Sequence, residues 1–135
     1  MPSQESPISA VLVIETDESS LRLIGHMLEG TVVTVHLADR LHEGLRMIET
    51  HMPDVVLLGI EGAGDFKLCA WMKDRRKLIG IPLILFGGGY GTLSQETLEQ
   101  CGAAGFLPKP FKRQQLVDAI QGVIRLRSRA RPNRH

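Results

Sequence analysis

The chain has 135 residues, of which 43% are hydrophobic and 23% charged, and its 16 basic and 15 acidic side chains give a net charge of +1. That length fits one domain of about 150 residues, and a domain of this size buries about two-thirds of its unfolded surface without disulfides or metal. The composition excludes a disordered chain, a collagen-like chain and a uniformly basic one. The charge is nevertheless uneven. Arg125, Arg127, Arg129, Arg131 and Arg134 fall near the end, in a stretch with no acid, which leaves eleven basic against fifteen acidic side chains over residues 1–124, a net −4. Cys69 and Cys101 form no CxxC pair, so two buried thiols in a reducing compartment are expected. The apolar run Ile8–Ile14 is too short to span a bilayer and has no basic lead-in, so a cytoplasmic location is expected.

In chain order, Met1–Pro7 is polar with two prolines and reads as a loose lead-in. Ile8–Ile14 (ISAVLVI) is β-rich and nearly all apolar, the pattern of a strand buried on both faces of a parallel sheet. Asp17 or Ser19 can cap the following helix, where Leu21, Ile24 and Leu28 recur at helical spacing up to Gly30. Thr31–Leu37 (TVVTVHL) alternates like a strand near a sheet edge. Asp39 is expected to cap a second helix with Leu41, Leu45 and Ile48 on one stripe, stopped before Pro53. Asp54–Leu58 (DVVLL) is the third strand, and Phe66–Lys77 the third helix, with Leu68, Cys69 and Met72 inward. Pro82–Phe86 (PLILF) is the fourth strand, followed by the glycine-rich loop Gly87–Gly91. A fourth helix at Leu93–Gln100 has Thr92 and Gln95 as a capping box. Ala104–Leu107 is the fifth strand, and the last helix runs from Phe111 to Arg127 with Leu116, Ile120, Val123 and Ile124 apolar.

Strands that alternate with helices over short linkers make right-handed crossovers and a parallel sheet covered on both faces. The expected fold is therefore doubly wound α/β with five parallel strands. Residues 8–127 form its one domain, 1–7 a flexible N-terminus and 128–135 a basic tail or linker stub. Ligands in such sheets bind beyond the carboxyl ends of the strands. The segments of interest are Glu15–Glu18, Gly59–Asp65, Gly87–Gly91 and Pro108–Phe111.

After the first strand come Glu15, Asp17 and Glu18; the fifth strand runs into Phe106-Leu107-Pro108-Lys109-Pro110-Phe111. With Pro53–Leu58 (PDVVLL) and Cys101–Phe111 (CGAAGFLPKPF), these segments resemble the receiver domain of bacterial response regulators, the CheY-like family, over residues 8–126. The resemblance implies strand order 2-1-3-4-5 and phosphoryl transfer onto an aspartate at the end of strand three. It also implies Mg²⁺, which takes hard oxygen ligands in octahedral geometry and neutralises phosphoryl oxygens. In the family two adjacent acids after strand one, the acceptor aspartate and a backbone carbonyl hold the metal. A hydroxyl after strand four and a lysine after strand five hold the phosphoryl group, and an aromatic on strand five reports it to partners.

Carried over position by position, the pattern departs at its centre. Gly59 falls at the acceptor position, Thr16 in place of the second acid beside Glu15, and Gly87 in place of the family's Thr or Ser. Phe106 keeps an aromatic without a phenolic OH, while Lys109 and Pro110 are retained, the Lys–Pro bond being usually cis in the family. A site without the aspartate forms no acyl phosphate, and Glu15 as the one matching carboxylate makes a weak Mg²⁺ site. The resemblance is thus to a degenerate receiver, or pseudo-receiver, in which Lys109 pairs with Glu15 or Asp17.

Simpler roles stand beside these. Glu15, Asp17 and Glu18 also suit an acidic first helical turn, Asp17 foremost as a cap. Glu61 and Asp65 lie near enough to substitute as acceptors, but a solvated loop acid and a helix cap are the plainer readings. Gly87–Gly91 suggests a phosphate-binding loop, yet its spacing matches neither nucleotide-binding motif, and a flexible loop is expected. His26, His36, His42 and His51 show no paired-ligand spacing and read as exposed or partly packed; Trp71 reads as cover for a sheet edge. Arg125–His135 reads as a cationic helix end with a solvated tail, then as a surface for an acidic partner, and last as a nucleic-acid contact.

The expected function is that of an atypical receiver domain in two-component (phosphorelay) signalling, a non-enzymatic and phosphorylation-independent protein-interaction module. Its partner, another protein or a second copy, would dock on the face of the fourth helix, fifth strand and fifth helix, with Phe106 and Lys112–Arg125. No cofactor, membrane or nucleic acid is expected. The alternative is a small-molecule or nucleotide sensor that uses the emptied pocket. A flavodoxin-like redox or transferase enzyme lacks a catalytic pair.

Overall fold

A computed structural model describes residues 10–31, 34–61, 73, 80–88 and 93–130, with side chains described as far as Leu126. Along these residues run β1 (Ala10–Ile14), α1 (Glu18–Leu28), β2 (Thr34–Ala38), α2 (Leu41–His51), β3 (Val55–Gly59), β4 (Leu83–Gly87), α3 (Gln95–Cys101), β5 (Gly105–Pro108) and α4 (Arg113–Ala130). The expected third helix lies outside the described residues except Lys73, which is helical. Hence α3 and α4 are the fourth and fifth helices of the sequence reading.

The strands form one parallel sheet in the order β2-β1-β3-β4-β5. Successive side chains on a strand point to opposite faces, and that alternation splits the core in two. Leu12, Ile14, Val56, Leu58, Leu83 and Leu85 pack with Ile48 of α2 and Cys101 of α3. Val11, Val13, Val55, Leu57, Ile84 and Phe86 pack with Leu21, Ile24 and Leu28 of α1 and with Leu116 and Ile120 of α4. Each such side chain contributes about 1.5–3 kcal/mol on burial, so the continuous apolar runs of β1, β3 and β4 belong at the centre of the sheet. The more mixed β2 and β5 lie at its edges. Pro108, which has no N–H to donate, closes the edge strand β5.

Several boundaries differ from the sequence reading. Strands β3, β4 and β5 each continue one residue further, to Gly59, Gly87 and Pro108. Glycine and proline carry no apolar signal, but their backbones stay in the ladder, with Gly59 opposite Phe86 and Gly87 opposite Pro108. Asp39 does not cap α2. Arg40 is the N-cap, with φ −139° and ψ 142° and no side-chain hydrogen bond. The helix lies directly on β1, where a Cβ at Gly44 would fall 2.5 Å from Ile14 Cγ1. The expected Thr92–Gln95 capping box is also replaced. Gln95 is already the first helical residue, and Ser94 caps α3 by accepting the Thr97 N–H at 3.1 Å. Finally, α4 continues past Arg127 to Ala130, so residues 128–130 are helix rather than tail. The sequence has no glycine or proline between Gly122 and Pro132 to stop it sooner. No helix among the described residues is long and apolar enough to cross a membrane.

Candidate functional site

The carboxyl ends of β1, β3 and β4 and the start of the segment after β5 converge on one buried carboxylate. Glu15 directly follows β1; its backbone N–H donates to the Ala38 carbonyl at 3.0 Å, and the residue is only 2% exposed. Glu15 Oε2 accepts the Asp17 N–H at 2.9 Å, and Oε1 lies 3.5 Å from Lys109 Nζ. Burying a carboxylate is costly unless it is paired and hydrogen-bonded, and both conditions are met here.

Lys109 is held from several directions. Its backbone N–H donates to the Gly87 carbonyl at 2.8 Å, and its bond to Pro110 is cis. The ammonium donates to Ser20 Oγ at 3.1 Å and sits 5.4 Å from the centroid of the Phe86 ring, within cation–π range. Phe86 in turn meets Phe111 edge-on, the centroids 6.1 Å apart. The ion pair thus joins β1 to the segment after β5, with α1 and β4 supporting the lysine.

Two glycines border this cluster, and the chain's own atoms fill the space beside each. A Cβ on Gly59 would collide with Glu15 Oε1, would lie 2.8 Å from Glu15 Cδ, and would press on Phe86 Cε1 at 3.1 Å. A Cβ on Gly87 would fall 2.5 Å from the Ile60 carbonyl oxygen. That oxygen is backbone rather than the end of a flexible side chain, so relief would require the chain after β3 to move. Neither strand end has room for a side chain in this arrangement.

The remaining sequence candidates scatter around the cluster. Asp17 caps α1 by accepting the Ser20 N–H at 3.0 Å. Hydrogen bonds from the Ser20 side chain and backbone, with a smaller contribution from the Lys109 charge, hold the Asp17 carboxyl below its ordinary pKa. Thr16 and Glu61 are exposed. With Glu15, Gly59, Leu41 and Leu58 they line a hollow of about 100 Å³. Phe106 is partly buried on β5, in register with Leu85 of β4. Gly88 is described, while Gly89–Gly91, Asp65, Cys69 and Trp71 lie outside the described residues.

Two arrangements had no sign in the sequence spacing. His36 of β2 and His51 of α2 stack, with centroids 4.2 Å apart and planes within 14°. Burial, and then the charge of His51, lower the His36 pKa. Strand alternation, which places His36 with Ala38 on the face toward α2, was the signal available. Arg113 of α4 donates from Nε to the Met27 carbonyl at 2.9 Å and from Nη2 to the Glu29 carbonyl at 3.5 Å, closing the C-terminal end of α1.

Comparison with known proteins agrees with this architecture. The family profile described as response regulator receiver domain matches residues 11–121. The polar-differentiation response regulator DivK of Brucella ovis is 23% identical over 118 residues, which cover 85% of this chain and 95% of that protein. The crystal structure of a response regulator receiver modulated diguanylate cyclase from Pelobacter carbinolicus is 26% identical with a TM-score of 0.74, over 93% of this chain and 99% of that one. A CheY-like receiver domain protein from Methanospirillum hungatei JF-1, 21% identical with a TM-score of 0.76 over 91% and 98% of the two chains, shares the fold. The profile runs from the first strand into the last helix, over the 2-1-3-4-5 parallel sheet, and on that match the chain belongs to the response regulator receiver domain family of two-component signalling.

Proposed function

We propose that this receiver domain is a pseudo-receiver: a phosphorylation-independent, non-enzymatic protein-interaction module that works in the cytoplasm. The observation that carries this reading is the Glu15 carboxylate, seated against Gly59 where a side chain from β3 would stand, and held by Lys109. Gly59 corresponds to the acceptor position of the family and offers no nucleophile. Lys109, which in the family grips the phosphoryl group, is supplied with an anion by Glu15 instead. The hydroxyl that would follow β4 is replaced by Gly87, and the Ile60 carbonyl stands in its place. The relay that couples phosphorylation to Phe106 therefore lacks its first two parts.

The donor set does not fit Mg²⁺, which requires several hard oxygens in near-octahedral array. Both oxygens of Glu15 are engaged, by the Asp17 N–H and by Lys109, and Thr16 brings no charge. Among the described residues no three acidic, histidine or cysteine side chains cluster as a closed metal site would need. The sensor alternative is less well supported: a hollow of about 100 Å³ lined by Glu15 and Glu61 is too small for a nucleotide. Output then passes through the surface made by α3, β5 and α4, where Phe106 lies.

Incubation with acetyl phosphate and Mg²⁺, followed by intact-mass measurement, tests this directly. The expected result is an unmodified chain. A stoichiometric phosphoryl adduct, on Glu61, Asp65 or any other side chain near the pocket, would overturn the reading.

A further inference from the structure

The stacked histidines have no part in the strand-end cluster. His36 lies in the edge strand β2 and His51 in the last turn of α2, and their rings face each other with centroids 4.2 Å apart. His36 is partly buried and His51 exposed. Neither imidazole makes a hydrogen bond or an ion pair among the described residues, so the ring nitrogens of both are without a protein partner there. A contact made for packing alone is better served by aliphatic or phenyl side chains, which bring no polar nitrogens to desolvate. The nitrogens call for another role.

Their position suits a cation. Helix α2 begins just beyond the carboxyl end of β2 and runs back along it, so His51 lies toward the amino ends of the strands, away from Glu15. The C-terminus of a helix carries the negative end of its macrodipole, and His51 stands in that last turn.

We propose that His36 and His51 together bind a late first-row divalent cation of the Zn²⁺ or Cu²⁺ class, with water completing its coordination. Imidazole nitrogen is a favoured donor for these ions, whereas Mg²⁺ takes hard oxygens. A cation held by both rings lies about 2.0–2.1 Å from each nitrogen, so the two nitrogens must stand within about 4 Å of each other. The stack already sets a spacing close to that. Lone pairs lie in the ring planes, and parallel rings do not aim them at one point. The exposed His51 ring therefore turns out of the stack as the cation enters. No third carboxylate, imidazole or thiolate joins the pair among the described residues, which makes the site open and exchangeable rather than closed. A bound cation ties the edge strand to α2 and stabilises the native state by mass action. Neither Glu15 nor Lys109 takes part, so the site is independent of the pseudo-receiver reading.

Titration of the full chain with Zn²⁺ at about pH 7.5, where ordinary imidazoles are mostly neutral, tests the proposal. Imidazole and amide NMR signals and the melting temperature are the readouts. The expected result is saturable one-to-one binding that moves the His36 and His51 signals and raises the melting temperature, with no response to Mg²⁺. His36→Phe and His51→Phe each keep an aromatic ring in the stack but remove its nitrogens, and each should weaken Zn²⁺ binding about tenfold or more, because a lone imidazole loses the gain of two linked ligands. His42→Ala should leave the affinity unchanged. A metal-free melting temperature near that of wild type shows that the phenylalanine variants fold. No saturable Zn²⁺ binding, binding that both phenylalanine variants leave intact, or an equal response to Mg²⁺ would overturn the proposal and leave the pseudo-receiver reading standing.

Discussion

Placing an aspartate at Gly59 is the sharpest test of how the strand ends are packed. Its Cβ would lie 2.8 Å from Glu15 Cδ and 3.1 Å from Phe86 Cε1, whereas carbon contacts are optimal at about 3.5–4.0 Å. Both neighbours are buried, so relief requires Glu15 or the β4 backbone to shift, and overpacking of this kind costs about 1–3 kcal/mol. Gly59→Ala isolates that steric part. Gly59→Asp adds a second carboxylate beside Glu15, with Lys109 the cation they must share, and protonation of one acid limits the added repulsion. The total for Gly59→Asp is about 2–4 kcal/mol near neutral pH, a fall in melting temperature of about 8–16 °C. Urea denaturation of wild type, Gly59→Asp, Glu15→Ala and the double variant completes a cycle. Shortening Glu15 empties the space the new side chain needs, so the double variant should be more stable than the sum of the singles by about 1 kcal/mol or more. A Gly59→Asp protein as stable as wild type, or a penalty untouched by Glu15→Ala, would refute the packing account.

Two further outcomes follow from contacts elsewhere. The folded pKa of His36 is lowered first by burial and then by His51. Because the unfolded chain binds this proton more readily, stability falls as pH drops from about 6.5 through the lower folded pKa. NMR titration should place His36 below the ordinary imidazole value and move it part of the way back in His51→Ala; no movement would show that the stacked partner has no effect. Arg113→Ala removes the donors to the Met27 and Glu29 carbonyls and should cost about 0.5–1.5 kcal/mol in urea denaturation. An unchanged midpoint would mean that water serves those carbonyls equally well.

Much of the fold was legible in advance because burial in a parallel sheet leaves a strong mark on sequence. VLVI in β1, VVLL in β3 and LILF in β4 are apolar on both faces, as only central strands are. Leu21, Ile24 and Leu28 mark the buried stripe of α1, and Asp17 marks its start. The errors fall where a side chain does not set the structure. Asp39 is a good capping residue one position too early: α2 opens from the extended backbone of Arg40, with no side-chain cap to mark it. Gly59, Gly87 and Pro108 extend their strands through backbone pairing alone.

By itself, the order of residues determined the doubly wound class, the sheet and its helices, and the set of positions gathered at the strand ends, because hydrophobic periodicity and turn residues act locally. It left open whether Lys109 would take Glu15 or Asp17, and strand alternation could put His36 on the face toward α2 without showing that it would stack on His51. Tertiary structure decided both. Once Asp17 turns to Ser20 at the head of α1, Glu15 is the buried charge that still requires a cation, and Lys109 is close enough to supply one. Whether an empty-looking glycine is filled, as at Gly59, or open among the described residues, as at Gly122, likewise depends on atoms distant in the chain, and only the packed sheet brings them together.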